Sequence, residues 1–486
     1  MYTTVRGIPE TATPAASPMT PAARSRVSRI VVTLGAVSLF TDLSSEMVVA
    51  VLPVYLTLVL GLTPIQYGLI DGLYQGVTAA VRIIGGITAD LTRRPKMVAV
   101  LGYGLSCICK LFFLPAHSFA AITALVAVDR TGKGLRTAPR DAMIVEASEP
   151  ASMGYAFGVH RAMDTAGALG GPLLAFGILA WLVDGYDAIF VLSFSLAAIG
   201  VAVLVLFVPG SRRTTDPAVT APAVSAPAVA VPAVTVPAVS APAVAAPAVA
   251  DGDPASPVPM PVPDPEVKRN GNLRATLREF AELARKPGYR RLLAVGALLS
   301  LSTISDGFIY LTLKDRVGIS ASLFPLLFVG TAAAYLLLAI PLGRLADRIG
   351  RARVFLGGHA VAAVGYLSLW LLPPGPALVA GVLALVGAYY AATDGVLPAL
   401  TAPLVPEGVR TSGIAGVQTV MAVGSMASAA LFGIVWSQFG QRTAVAAFTV
   451  GLALAILLAQ RLLQGQIGGR RRGPGSGLAV EAGTAR

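Results

Sequence analysis

Gly343-Arg-Leu-Ala-Asp347-Arg348-Ile-Gly350-Arg351-Ala-Arg353 lies between two long apolar runs. A worn copy, Gly86-Ile-Thr-Ala-Asp90-Leu-Thr-Arg93-Arg94-Pro95-Lys96, occurs earlier in the chain. The separation of Gly86 from Gly343 equals that of Asp90 from Asp347, so the chain carries an internal duplication. In each copy the glycine would let two helices approach closely, the aspartate would end its helix, and the arginines would stay on the cytoplasmic side of a membrane.

Composition supports the membrane reading. The chain has 486 residues, of which 55% are hydrophobic and 13% charged, with a mean hydropathy of +0.73. A soluble protein carries about 25% charged residues. The apolar residues come in blocks of about 20, enough to cross a hydrocarbon core of roughly 30 Å. Soluble helical repeats would need a polar face on every helix, and these blocks lack one. The net charge of +12 does not indicate nucleic acid, because the basic residues gather in alternate loops. Cys107 and Cys109 stand two apart in an apolar helix and point to different faces, so neither a disulfide nor a metal site is expected from them.

Six apolar spans are expected near 30–58, 65–86, 97–114, 119–138, 153–180 and 187–208. Six more follow near 290–312, 320–343, 353–372, 376–398, 411–436 and 443–463. Arg93, Arg94 and Lys96 follow span two and Arg140 follows span four, while the loops after spans one, three and five carry no Lys or Arg. The second half repeats this with Arg344, Arg348, Arg351, Arg353, Arg410 and Arg470-Arg471-Arg472; only Lys314, Arg316 and Arg442 fall on the other side. The positive-inside rule then puts both termini in the cytoplasm, with the chain in the inner (plasma) membrane. Residues 1–28 read as a disordered cytoplasmic tail, 29–208 and 288–465 as two six-helix bundles, and 466–486 as a second tail. Between the bundles, 209–287 forms a cytoplasmic linker. Its prolines at 217, 222, 227, 232, 237, 242 and 247 forbid a helix and make it a semi-extended tether. The stretch from Asn272 to Lys286 reads as an amphipathic helix on the inner membrane surface.

The duplicated loop resembles the G-x-L-A-D-R-x-G-R-R/K signature of the major facilitator superfamily, found after the second helix of each half. The second copy fits well; the first has Leu91 and Arg93 where the family has Arg and Gly. Arg130 and Gly134 resemble the family's fourth-span motif, with Lys133 in place of the usual glutamine. Gly167-Ala-Leu-Gly170-Gly171-Pro172 resembles in part the fifth-span motif of its exporting, antiport branch, with Ala175 and Phe176 replacing the final glycines. The resemblance covers about residues 29–465. It implies an all-α membrane protein of 12 transmembrane helices in two pseudo-symmetric six-helix bundles. It also implies gating by Gly86, Asp90, Arg94, Gly343, Asp347, Arg348 and Arg351, and by Gly167, Gly171 and Pro172.

A charge near the bilayer centre costs about 2.5–3.5 kcal/mol on insertion scales, so such residues mark the pathway. Asp42 and Glu46 lie one turn apart on one face of span one and suit a proton carrier; permanent salt bridging is the structural alternative. Span four supplies Asp129, Arg130, Lys133 and Arg136. An Asp129–Lys133 pair is expected, as is contact of Arg130 with Asp42 or Glu46. In span five, Asp164 shares a face with His160 and can pair with Arg161. His160 with Met163 could bind a soft metal such as copper, although a hydrogen-bonded His is the more common outcome. Asp42, Glu46, Arg130 and Asp164 are thus the proton-coupling candidates. Tyr55, Asp71, Gln75, His160, Met163, Asp306, Tyr310, Tyr389 and Gln418 are candidates for a substrate cavity. Asp394 is expected at an inner gate, and the second half is expected to be apolar.

The expected function is proton-driven export of a small amphiphilic or drug-like molecule by alternating access, an antiporter rather than an enzyme. No cofactor, structural metal or nucleic acid is called for; the partners are the substrate, protons and the bilayer, and the protein is expected to act as a monomer. Proton-coupled uptake of a metabolite or metal is the second possibility. A non-transporting receptor or assembly factor on the same fold is the third.

Overall fold

The computed structural model describes residues 28–92, 94–149, 152–210, 282–394, 396–406 and 410–467. The expected tails and most of the linker, with the greater part of its amphipathic stretch, lie outside the described residues. All regular structure among the described residues is helical. The first half comprises α1 (Arg29–Val54, continued by a π turn Tyr55–Val59), α2 (Pro64–Thr92), α3 (Pro95–Phe112), α4 (Phe119–Glu146), α5 (Met153–Trp181) and α6 (Tyr186–Phe207). The second comprises α7 (Pro287–Leu301), α8 (Asp306–Val317), α9 (Pro325–Ile349), α10 (Arg351–Leu371), α11 (Pro376–Thr393), the short α12 (Val396–Thr401), α13 (Arg410–Phe439) and α14 (Gln441–Ile467).

Ends are set by local chemistry. The Ser28 hydroxyl accepts from the Ile30 amide at 3.3 Å at the start of α1, and the Ser118 hydroxyl from Ala121 at 3.2 Å at the start of α4. Proline stands in the first turn of α3, α7, α9 and α11. The duplicated loop differs here from expectation. Asp347 lies inside α9, and Gly350, at φ +105°, ends the helix. In the first copy α2 runs past Asp90 to Thr92 before Pro95 opens α3.

Among the described residues ten segments are long and apolar enough to cross a membrane; α2 and the charge-bearing α4 complete twelve. Leu101, Ile108, Phe112, Leu206, Leu337, Ile340, Leu454 and Leu457 are exposed on the outer faces of the helices, while Val51, Ile189, Leu299, Phe308 and Phe432 are buried between them. Apolar residues therefore point both ways, as a lipid solvent allows.

Span seven is not one helix. The chain breaks at Ser302–Ser305, and neighbours satisfy the freed backbone. Tyr366 Oη accepts from the Ile304 amide at 3.0 Å, and the Ser428 hydroxyl donates to the Thr303 carbonyl. Irregular backbone inside a membrane protein needs such internal partners.

Glycine sets the closest seams. A Cβ on Gly167 would lie 2.5 Å from the Leu39 carbonyl oxygen, and one on Gly171 2.7 Å from the Met47 amide, so α5 lies against α1 backbone to backbone. Gly167→Leu is therefore expected to lose well over 1 kcal/mol of stability by overpacking. Gly104→Leu, where no atom lies within 4 Å, should melt like the wild type. Equal thermal midpoints for the two variants in detergent would refute the seam. Among the described residues a Cβ on Gly343 would also meet nothing within 4 Å, so the close helix approach expected there is not found among them.

The halves meet where the start of α2 crosses the end of α13. A Cβ on Gly68 would lie 2.4 Å from the Ala429 carbonyl and one on Gly433 2.5 Å from the Pro64 carbonyl. The Ile65 amide donates to Ser437 Oγ at 3.1 Å. The start of α2 and the end of α13 are each one span removed from a terminus, so this seam closes the face away from both termini.

Candidate functional site

On α1, Ser38, Asp42 and Glu46 follow one another at four-residue spacing and form a single stripe. On α4, Lys133, Arg136 and Arg140, spaced three and then four residues apart, form a second stripe. The two stripes make a ladder whose rungs advance in opposite directions along the two helices. Lys133 Nζ lies 3.3 Å from Glu46 Oε1, Arg136 Nη2 3.5 Å from Asp42 Oδ1, and Arg140 Nη1 donates to Ser38 Oγ at 3.4 Å. A third carboxyl enters from α5. Asp164 Oδ1 is 3.6 Å from Arg140 Nη1, which brings its carboxyl beside that of Asp42. Arg140 is also held by Asp141 at 2.9 Å, and the Arg136 guanidinium lies 4.4 Å over the Tyr103 ring. The His160 ring meets Ser38 Oγ at 2.9 Å.

Three expected pairings are corrected. Arg130 does not reach Asp42 or Glu46. It forks onto Asp129 through Nε at 2.9 Å and Nη2, and stacks 3.8 Å over Tyr74. Asp129 takes Lys110 of α3 at 3.2 Å instead of Lys133. A fully buried ammonium needs a carboxylate more than the half-buried Lys133 does, and Lys133 is free to reach Glu46. Asp164 pairs with Arg140 and not with Arg161.

A cavity of about 290 Å³ lies between the halves, lined by Glu46, Leu169 and Pro172 on one side and by Asp306, Tyr310, Phe328, Thr331, Tyr335, Tyr390 and Asp394 on the other. The second half is thus not the apolar partner expected, since it contributes two carboxyls to this wall. Tyr390 Oη donates to Asp306 Oδ1 at 2.9 Å, and Tyr310 Oη to Thr331 at 2.7 Å.

The other named residues sit elsewhere. Tyr55 packs on Tyr186 and Phe190, and Met163 lies against Gly35 of α1. Asp71 is beside Ser305 near the break in span seven. Tyr389 stands behind Tyr390, against His359. Gln75 and Gln418 are exposed outside the cavity lining. His160 and Met163 contact different residues of α1, and among the described residues no group of three or more metal-ligating side chains converges. Asp347 pairs with Arg351 at 3.5 Å, and Arg351 also donates to the Ala399 carbonyl at 2.9 Å. Arg94 and Arg348 are exposed, while the side-chain surroundings of Gly86 and Asp90 lie outside the described residues. Lys110 was overlooked in the sequence, although a lysine in an apolar span is the signal that singled out Asp42. Tyr335, Phe328 and Thr331 carry no such mark.

The sequence profile of the Major Facilitator Superfamily matches residues 34–311 and 292–481, spanning both halves. This chain belongs to that superfamily. An uncharacterised MFS-type transporter of Methanocaldococcus jannaschii is 27% identical over 444 residues, 90% of this chain and 95% of that protein. The nucleoside transporter NupG superposes with a TM-score of 0.65 at 12% identity, covering 90% of this chain and 99% of that one. A bacterial homologue of the lysosomal transporter Spinster, inward-facing and unoccupied, gives 0.64 at 15% identity over 93% and 100% of the two chains. At such identities the solved structures establish the MFS fold alone. The protein is a multi-pass MFS-type membrane transporter and not an enzyme.

Proposed function

We propose that this MFS protein exports a small amphiphilic or drug-like molecule in exchange for protons, by alternating access, as a monomer in the cell membrane with both termini cytoplasmic. The contact of the Asp42 and Asp164 carboxyls carries the proposal. Two neighbouring buried carboxyls resist ionising together and so can share one proton, and Arg136 and Arg140 stand ready to balance the charge when that proton leaves. Glu46 extends the ladder to the cavity wall, which links proton occupancy to substrate occupancy. Asp42, Glu46 and Asp164 keep the proton-carrying role read from the sequence; Lys133, Arg136 and Arg140 take the part assigned there to Arg130. Rocking of two bundles about a site between them is the general mode of such transporters.

Everted membrane vesicles from cells stripped of their own exporters test this reading. Asp42→Asn, Asp164→Asn and Glu46→Gln, singly and together, are expected to abolish uptake of a lipophilic dye driven by a pH gradient, with protein levels unchanged. Wild-type rates in the triple variant would remove these carboxyls from the coupling. Gradient-driven loss of dye from the vesicles would reverse the assigned direction and favour uptake by cells.

A further inference from the structure

The cavity between the halves is walled by three acidic side chains, Glu46, Asp306 and Asp394, and among the described residues no Lys or Arg lines it. The three are not equivalent. Glu46 is matched by Lys133 at 3.3 Å, and Asp394 feels the charge of Arg161. Asp306 receives only the Tyr390 hydroxyl at 2.9 Å, and the charged groups that face it from α2 and from the end of α11 are two more carboxyls, Asp71 and Asp394. Among the described residues no cation lies within ion-pair distance of Asp306. A carboxylate without a counter-charge at membrane depth is costly, and the cost is relieved by a proton or by a cation that enters the cavity.

The rest of the wall narrows the choice. The Tyr310 and Tyr390 hydroxyls are occupied by Thr331 and Asp306, so neither offers the cavity a free polar group. The Tyr310 and Phe328 rings meet edge to face at 4.7 Å, and Tyr390 is braced by Tyr389 at 5.1 Å. Ring faces attract positive charge and apolar surface together. Among the described residues an anionic substrate would find no basic side chain here, and a sugar would find no Asn or Gln in the lining. The volume of about 290 Å³ suits a small ligand of drug-like size. Asp306 also opens α8 directly after the break in span seven, so charge captured there acts on a discontinuous span.

We propose that this cavity is the receptor for an organic cation, its positive centre held by the Asp306 carboxylate and its apolar body by Tyr390 and Phe328, with Tyr310 packed behind Phe328. The proposal deepens the exporter reading and takes from it only the direction of transport.

Equilibrium binding to the purified, folded protein tests it, with radiolabelled tetraphenylphosphonium and the same-shaped anion tetraphenylborate in separate samples. Saturable binding of the phosphonium alone is expected. Asp306→Asn should weaken it at least about 10-fold, which is 1.4 kcal/mol, while Asp306→Glu, which restores the charge, should recover part of that loss. Equal binding of both ions would overturn the proposal. So would undiminished binding by Asp306→Asn, or absence of phosphonium binding by the folded wild type. The direction is read separately in everted vesicles. Phosphonium binding without movement driven by a pH gradient would keep the cation site and remove the exporter. Gradient-driven movement of a neutral dye by protein that binds no phosphonium would do the reverse.

Discussion

Asp129→Asn is expected to cost this protein about 3–5 kcal/mol, the usual result of leaving a buried charge without its partner. Asp129 is the anion shared by two buried cations, Lys110 at 3.2 Å and Arg130, whose side chains are each only 3% exposed. The Asn variant would leave a guanidinium and an ammonium side by side, with the Tyr74 ring and the Ser106 carbonyl, 3.2 Å from Lys110 Nζ, as the remaining polar contacts. Since whole proteins are stable by only about 5–15 kcal/mol, much of the variant should fail to accumulate in the membrane. Adding Lys110→Met removes the surplus cation and should recover a large part of the loss. Thermal midpoints from detergent size-exclusion profiles check this. An Asp129→Asn protein as stable as the wild type, or a double variant no better than the single, would mean the cluster is not the electrostatic unit its geometry suggests.

The double variant Gly76→Cys/Met426→Cys should stop transport completely when oxidised and regain it on reduction. A Cβ on Gly76 would stand 3.3 Å from the Met426 Cβ, close to the roughly 3.5–4.5 Å that a disulfide spans. The bond would tie α2 to α13 across the seam that shuts the face away from the termini. Alternating access requires that seam to part in every cycle. Each single variant should keep transporting, because the Cβ added at Gly76 meets the flexible Met426 thioether, which can move aside, and Met426→Cys only removes side-chain atoms. The native Cys107 and Cys109 are buried in α3 and should not compete. Wild-type turnover by fully cross-linked protein would exclude any cycle that opens this seam.

The fold was legible because membrane insertion writes itself into the chain. Twelve apolar blocks and alternating basic loops follow from the thickness of the hydrocarbon and the charge asymmetry of loops. The duplicated Gly86 and Gly343 loops then placed the boundary between halves. Span seven was misread as continuous, since Ser302-Thr-Ile-Ser305 carries no Gly or Pro to betray a break. Its backbone is satisfied by Tyr366 and Ser428, from spans nine and eleven. The site was legible as a set of expensive residues but not as a set of partners. Asp42, Glu46, Asp164 and Asp306 stood out by being charged within apolar runs. Which cation each would meet depended on how helices far apart in sequence came together.

From the sequence alone follow the membrane class, the number of spans, their pairing into two related halves, and the density of charge in α1, α4 and α5. Each of these is a property of a segment against lipid, and a segment carries it by itself. Tertiary structure decided that Lys133 faces Glu46 while Lys110 takes Asp129, that α2 and α13 close one face, and that Asp306 and Asp394 share a cavity with Glu46. Those are relations between segments, set by the glycine seams that fix how closely the helices approach. A side chain's charge is local, but its counter-charge is wherever packing brings one.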